Sequence, residues 1–167
     1  GDIAIEDGMI VGIGNYEGKQ EHDMTGKYVC PGFIDSHLHL ESTLVTPKEL
    51  VTVASRHGTT TFIVDPHESA NVSGLAGINY ILDQTEDASA NVFVMMPSCV
   101  PATSIDDNGC TLTAEDMTQY LDNERILGLG EVMDYISVVN ADPGMHRKLD
   151  LFKNKVRDGH APFLAEE

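Results

Sequence analysis

The chain has 167 residues, 41% of them hydrophobic, enough to bury one good core. Its net charge is −17, with 27 acidic residues against 10 basic ones, which argues against a nucleic-acid partner or an anionic membrane surface. No apolar run reaches the ~18 residues of a membrane-spanning helix, and the three cysteines, Cys30, Cys99 and Cys110, are scattered like the reduced thiols of a cytoplasmic protein.

The chain opens in GDIAIEDGMIVGIG, without an initiator methionine or a secretory leader, and stops in HAPFLAEE. It therefore reads as a piece of a longer protein. Residues 2–14 alternate apolar and polar side chains on either side of Asp7-Gly8, which predicts two antiparallel strands joined by a tight turn. From residue 33 the rhythm changes to short apolar runs separated by helix-like stretches. A strand is expected over 33–37, then a helix over 47–57 that opens at Thr46-Pro47. A β-branched strand over 59–65 precedes a helix over 74–85, and NVFVMM predicts a buried strand over 91–96. Thr113, with Asp116 three residues on, starts a helix over 113–122. A strand over 126–131, a helix over 143–156 and a last short segment ending near His160 complete the order.

Five strands alternating with four helices predict a parallel sheet with crossover connections. No glycine-rich nucleotide fingerprint follows any strand. Polar residues gather instead at the carboxyl ends of the strands: His37 and His39; Asp65, His67 and Glu68; Ser98 and Cys99; Glu131; His160. That rim is where (β/α)₈ barrels carry their chemistry, and such barrels typically take ~250 residues. The expectation is an α/β fold, a TIM-type barrel of which strands one to five are present.

His37 and His39 alternate, as does Glu41, so on one strand all three would face the same way. Two imidazoles make half of a site for Zn, Fe, Mn or Ni, and carboxylates favour the harder of these. Glu131 and His160, at other strand ends, would enter the same cavity, and a carboxylate can bridge two metals ~3.5–4 Å apart. Each residue alone has a plainer reading: a chance H-x-H, a loop histidine at His67, a solvated strand end at Glu131, a turn at His160. Their shared position at one end of the strands favours a metal site.

PGFIDSHLHLE resembles the first-strand motif of the amidohydrolase superfamily, and the preceding hairpin resembles part of the small β-sandwich that flanks such barrels. GTTTFIVDPHESANVSG, MMPSCVPAT, ILGLGEVMD and DGHAP are similar to the adenine deaminase branch. The resemblance implies residues 1–30 in the sandwich and 31–167 in a truncated barrel. It implies His37, His39, Glu131 and His160 as ligands of a binuclear centre, manganese before iron or zinc, with Glu131 bridging where many relatives use a carboxylated lysine. Glu41, His67, Glu68, Ser98 and Cys99 are candidates for substrate contact, His67 and Glu68 also for an accessory metal, and Asp35 for bracing the strand. A sixth-strand histidine and the proton-shuttling aspartate of the eighth strand would lie beyond residue 167, leaving the isolated piece inactive.

The implied reaction is hydrolysis of adenine to hypoxanthine and ammonia in purine salvage, by metal-activated hydroxide. The implied partners are a small purine base and further copies of the chain, with no nucleic acid and no membrane. The alternatives are another amidohydrolase, such as an N-acetylglucosamine-6-phosphate deacetylase, and an inactive metal-binding fragment. Deacetylases draw a glutamate ligand from strand three, whereas strand three here ends in Met96, Pro97 and Ser98.

Overall fold

Asp7 and Gly8 both take positive φ, 49° and 76°, as a two-residue reversal between twisted strands requires. They join β1 (Asp2–Glu6) to β2 (Met9–Gly14), with Glu6 opposite Met9 and a register shift between Ala4 and Ile5. The expected pair of strands over 2–14 is therefore present. The structure is a computed structural model that describes residues 1–162. Residues 163–167, the end of the stretch assigned above to the barrel, lie outside those described. Gly1–Pro31 form one unit, and a second begins at Gly32.

The second unit holds one parallel sheet whose spatial order follows the chain: β3 (Phe33–Leu38), β4 (Thr59–Val64), β5 (Asn91–Pro97), β6 (Ile126–Val132) and β7 (Val156–Gly159). Helices fill the crossovers. These are α1 (Pro47–Ser55) after β3, then α2 (His67–Ser73) and α3 (Leu75–Gln84) after β4. α4 (Ala114–Met117) follows β5, and α5 (Tyr135–Val139) and α6 (Pro143–Leu151) follow β6. Consecutive parallel strands in chain order, with helix in each crossover between them, are the first part of a TIM-type barrel.

The local chemistry explains most of the boundaries. Thr46 caps α1 by accepting from the Glu49 N–H, with Pro47 at the first helical position. Thr113 and Asp116 exchange both hydrogen bonds of a capping box at α4. Phe62, Val64, Val94, Met96 and Leu129 of the three inner strands are at most 1% exposed, and Ile78, Ile81, Met117 and Phe152 close over them. Full burial of each such side chain contributes about 1.5–3 kcal/mol. The outer strands are less covered: Phe33 and Ile34 of β3 and Val156 of β7 are more than half exposed.

Three expectations change. The helix expected over 74–85 is preceded by α2, and Gly74 divides the two at φ 59°; a Cβ there would meet Cys110 Sγ at 2.5 Å. The stretch from 113 holds only one turn of α-helix before a 3₁₀ turn at Thr118–Tyr120. The helix expected over 143–156 stops at Leu151. There the Phe152 side chain is sealed in the core and Lys155 donates to the Ile126 carbonyl, steering the chain into β7.

Candidate metal centre

Parallel strands bring all their carboxyl ends to one rim. His37 lies within β3, His39 just beyond it, Asp65 just beyond β4, Ser98 just beyond β5, Glu131 near the end of β6, and His160 just beyond β7. Glu131 is the unusual residue. Its φ is +40°, a conformation that costs a residue with a side chain on the order of 1–3 kcal/mol. Neighbouring strands hold it there from both sides. The Glu131 N–H donates to Asp158 Oδ1 of β7 at 2.9 Å, and the Glu131 carbonyl accepts from Ser98 Oγ at 2.8 Å. Lys148 of α6 in turn donates to the Ser98 carbonyl at 2.7 Å, and burial lowers its ammonium pKa against the raising influence of Cys99 and nearby aspartates.

The strained backbone aims the carboxylate into a ring of histidines. Oε1 lies 3.2 Å from His37 Nε2 and 3.2 Å from His160 Nε2. Oε2 lies 3.2 Å from His39 Nε2 and 3.4 Å from His67 Nδ1. Glu131 is 8% exposed; burial alone would raise its carboxyl, but the His160 hydrogen bond and the His39, His67 and His37 rings together hold it below the usual range. For His39, burial works against protonation, and the charges of Glu68, Glu131 and Asp65 outweigh it and raise the imidazole.

A divalent cation fits this donor set. His37, His39 and Glu131 each offer an atom within 4.8 Å of the others, and so do Asp65, His67 and Glu131. Buried ring atoms of His39 and His67 and both carboxylate oxygens of Asp65 have no well-formed hydrogen bond. Buried polar atoms are otherwise almost always satisfied, and imidazole with carboxylate is a donor mixture suited to Mn, Fe and Zn.

The expected residues divide as follows. His37, His39, Glu131 and His160 come together, and His67 joins them. His67 is not a loop residue: it opens α2 and is 6% exposed. Glu41 does not continue the strand alternation, because β3 ends at Leu38 and Glu41 starts a 3₁₀ turn. It reaches the rim another way, its Oε1 accepting from the Ser69 N–H at 3.1 Å, and it groups with His39 and Glu68. Burial raises the Glu41 carboxyl, with the Ser69 hydrogen bond opposing.

Glu68 Oε2 stands 3.2 Å from His39 Nδ1 with its side chain 57% exposed, open to a ligand. Ser98 and Cys99 are sealed, and their polar atoms are engaged from within. Ser98 ties Glu131, while Cys99 Sγ accepts from the Asp134 N–H. They line no open surface among the described residues, contrary to the expectation of substrate contact. Asp35 Oδ1 accepts from the His37 N–H at 3.4 Å, the brace expected of it. Asp65, Lys148 and Asp158 were not singled out as site residues. Asp65 carried the one usable signal, standing two residues before His67 at a strand end.

The model of the amidohydrolase family matches residues 28–164. The chain is 60% identical over 166 residues to an adenine deaminase of Desulfitobacterium hafniense (strain Y51), covering 99% of this chain and 29% of that protein. It is 51% identical over 164 residues to an adenine deaminase of Clostridium acetobutylicum, covering 97% of the chain and 29% of the relative. It is 49% identical over 165 residues to adenine deaminase 2 of Carboxydothermus hydrogenoformans, with 99% and 29% covered. The chain thus spans about 29% of the length of these curated relatives.

Proposed function

The chain belongs to the amidohydrolase family, and on that premise we propose that the whole protein is an adenine deaminase, converting adenine and water to hypoxanthine and ammonia. The observation that carries the reading is the Glu131 carboxylate, whose two oxygens have imidazole nitrogens of His37, His39, His67 and His160 within 3.4 Å. Divalent metal use accompanies the family. We assign a pair of divalent cations, manganese first and iron or zinc as substitutes, to His37, His39, Glu131 and His160. Bound there, the pair would supply the Lewis acidity that activates water for attack on C6 of the purine.

The residues of this chain do the positioning. Glu131 offers one oxygen to each side, and its backbone, fixed by Asp158 and Ser98, spares it reorganisation during the reaction. Its charge offsets that of the cations. Glu68 and Glu41 present carboxylates beside His39. These are acceptors for the N–H groups of a free base, and they orient it. One proton must pass from water to the departing amine. The aspartate that the family uses for this lies, by the resemblance, beyond residue 167, so activity belongs to the longer protein. The same reading assigns residues 1–30 to a small β-sandwich, and the protein to cytoplasmic purine salvage as a homo-oligomer.

The test is to strip the full-length protein of metal, reload it with Mn²⁺ and follow hypoxanthine and ammonia from adenine. Glu131→Gln keeps the shape and removes the charge, so metal content and turnover both fall. A protein that loads Mn²⁺ and releases no hypoxanthine overturns the function. A Glu131→Gln variant with unchanged metal content and rate removes the bridging role.

A further inference from the structure

We infer that Asp65 and His67, together with Oε2 of Glu131, form a third divalent-cation position beside the pair assigned to His37, His39, Glu131 and His160. The inference rests on the reading of Glu131 as a metal-bridging carboxylate. It adds two ligands that the family resemblance did not supply as part of that centre.

Three observations converge on it. The first is burial without satisfaction. Asp65 is 1% exposed and His67 6% exposed, and beyond the contacts of His67 Nδ1 with Asp65 Oδ1 and Glu131 Oε2 no hydrogen bond among the described residues reaches the carboxylate oxygens of Asp65 or the ring nitrogens of His67. They meet as an ion-pair contact between His67 Nδ1 and Asp65 Oδ1. A sealed carboxylate is costly unless a cation compensates it. No lysine or arginine is paired with Asp65 among the described residues.

The second is convergence. One atom from each of Asp65, His67 and Glu131 lies within 4.8 Å of the others, and all three residues are buried. The third is the division of labour on Glu131. His160 joins His37 on Oε1, and His67 joins His39 on Oε2. His67 therefore stands to one oxygen as His160 stands to the other.

The backbone keeps this corner open. Gly130 faces Asp65, and a Cβ there would meet Asp65 Oδ2 at 2.1 Å and Met95 Cβ at 2.6 Å. Asp65 directly follows the end of β4 at Val64, and Pro66 caps α2, which opens on His67, so only one residue separates the two ligands between a strand and a helix. One imidazole and two carboxylates select a divalent ion of intermediate hardness, with Mn²⁺ the natural probe.

The experiment uses the full-length protein, stripped of metal and titrated with Mn²⁺ alone. Bound equivalents are counted by elemental analysis and by the electron paramagnetic resonance of free Mn²⁺. Wild type is expected to bind one more equivalent than Asp65→Asn or His67→Gln. Because either variant could misfold, anomalous diffraction from wild-type crystals in Mn²⁺ provides the second measurement. A peak in contact with both Asp65 and His67 is expected. No peak there, with equal stoichiometry and affinity in both variants, overturns the inference and leaves the two residues a hydrogen-bonded pair. Mn²⁺ bound at Asp65 and His67 in a protein that fails to deaminate adenine would sink the proposed function and not this site. Deamination with no ion at Asp65 would do the reverse.

Discussion

Ser98→Ala tests whether the strain at Glu131 is part of how the site works. The Ser98 hydroxyl is fully buried and donates to the Glu131 carbonyl at 2.8 Å. Removing one partner of a buried hydrogen bond costs about 1–3 kcal/mol. Holding Glu131 at φ +40° costs a similar amount, on the order of 1–3 kcal/mol. The two magnitudes being comparable, the variant has two ways to respond. If Glu131 stays in place, the metal-free protein loses the full value of the tether and its metal affinity is unchanged. If Glu131 relaxes toward negative φ, the strain is recovered and the apo protein loses little. Metal binding must then drive the carboxylate back, and affinity falls roughly tenfold for each ~1.4 kcal/mol shifted. Either way the loss in apo stability and the loss in Mn²⁺ binding free energy should sum to about 1–3 kcal/mol. Urea unfolding of the metal-free full-length protein and an Mn²⁺ titration measure the two parts. If both change by less than ~0.5 kcal/mol, the level of an inconsequential surface substitution, the tether does not hold Glu131 and the reasoning fails.

Two further outcomes are expected. Thr113→Ala removes the capping box at α4 and should cost about 0.5–2 kcal/mol in thermal or urea unfolding. Thr113 also holds the Asp116 carboxyl below its unfolded value, so this contribution is full above the ordinary carboxylate range and is lost as pH falls from there through the lowered folded value; stability measured across that acid window should depend less on pH in the variant. Residues 1–167 expressed alone should be poorly soluble and release no hypoxanthine from adenine with Mn²⁺, because among the described residues β3 and β7 each pair on one side only and expose Phe33, Ile34 and Val156. Size-exclusion chromatography with the assay decides this, and a soluble monomer with turnover would refute it.

The parts of this site that were legible in the sequence are those set by local periodicity. The two-residue repeat of a strand puts His37 and His39 on one side, and the hydrophobic runs locate the strand ends near Asp65 and Glu131. What was not legible depends on contacts distant in sequence. Glu41 fits the same repeat, yet β3 stops at Leu38 and the Ser69 N–H on α2 captures the Glu41 carboxylate. α2 and α5 are short and rich in Ser, Asn and β-branched residues, poor helix formers on propensity alone. α2 is fixed by burial of His67 and Ala70, and α5 by an Asp134 cap on the Ser137 N–H. The helix that opens on His67 is what turns an unremarkable D-P-H stretch into a pair of buried donors.

The same logic applies to Glu131. Nothing in ILGLGE signals a positive φ at a glutamate, because Ser98, 33 positions earlier, and Asp158, 27 positions later, impose it. Without that twist the side chain would follow the strand's ordinary alternation. With it, one carboxylate serves histidines from β3, α2 and the end of β7 at once. The chemistry-bearing residues are thus chosen locally and aimed non-locally. It follows that substitutions at Ser98, Lys148 or Asp158, none of which touches the histidines in the described contacts, should alter metal binding more than their distance from the carboxylate would suggest.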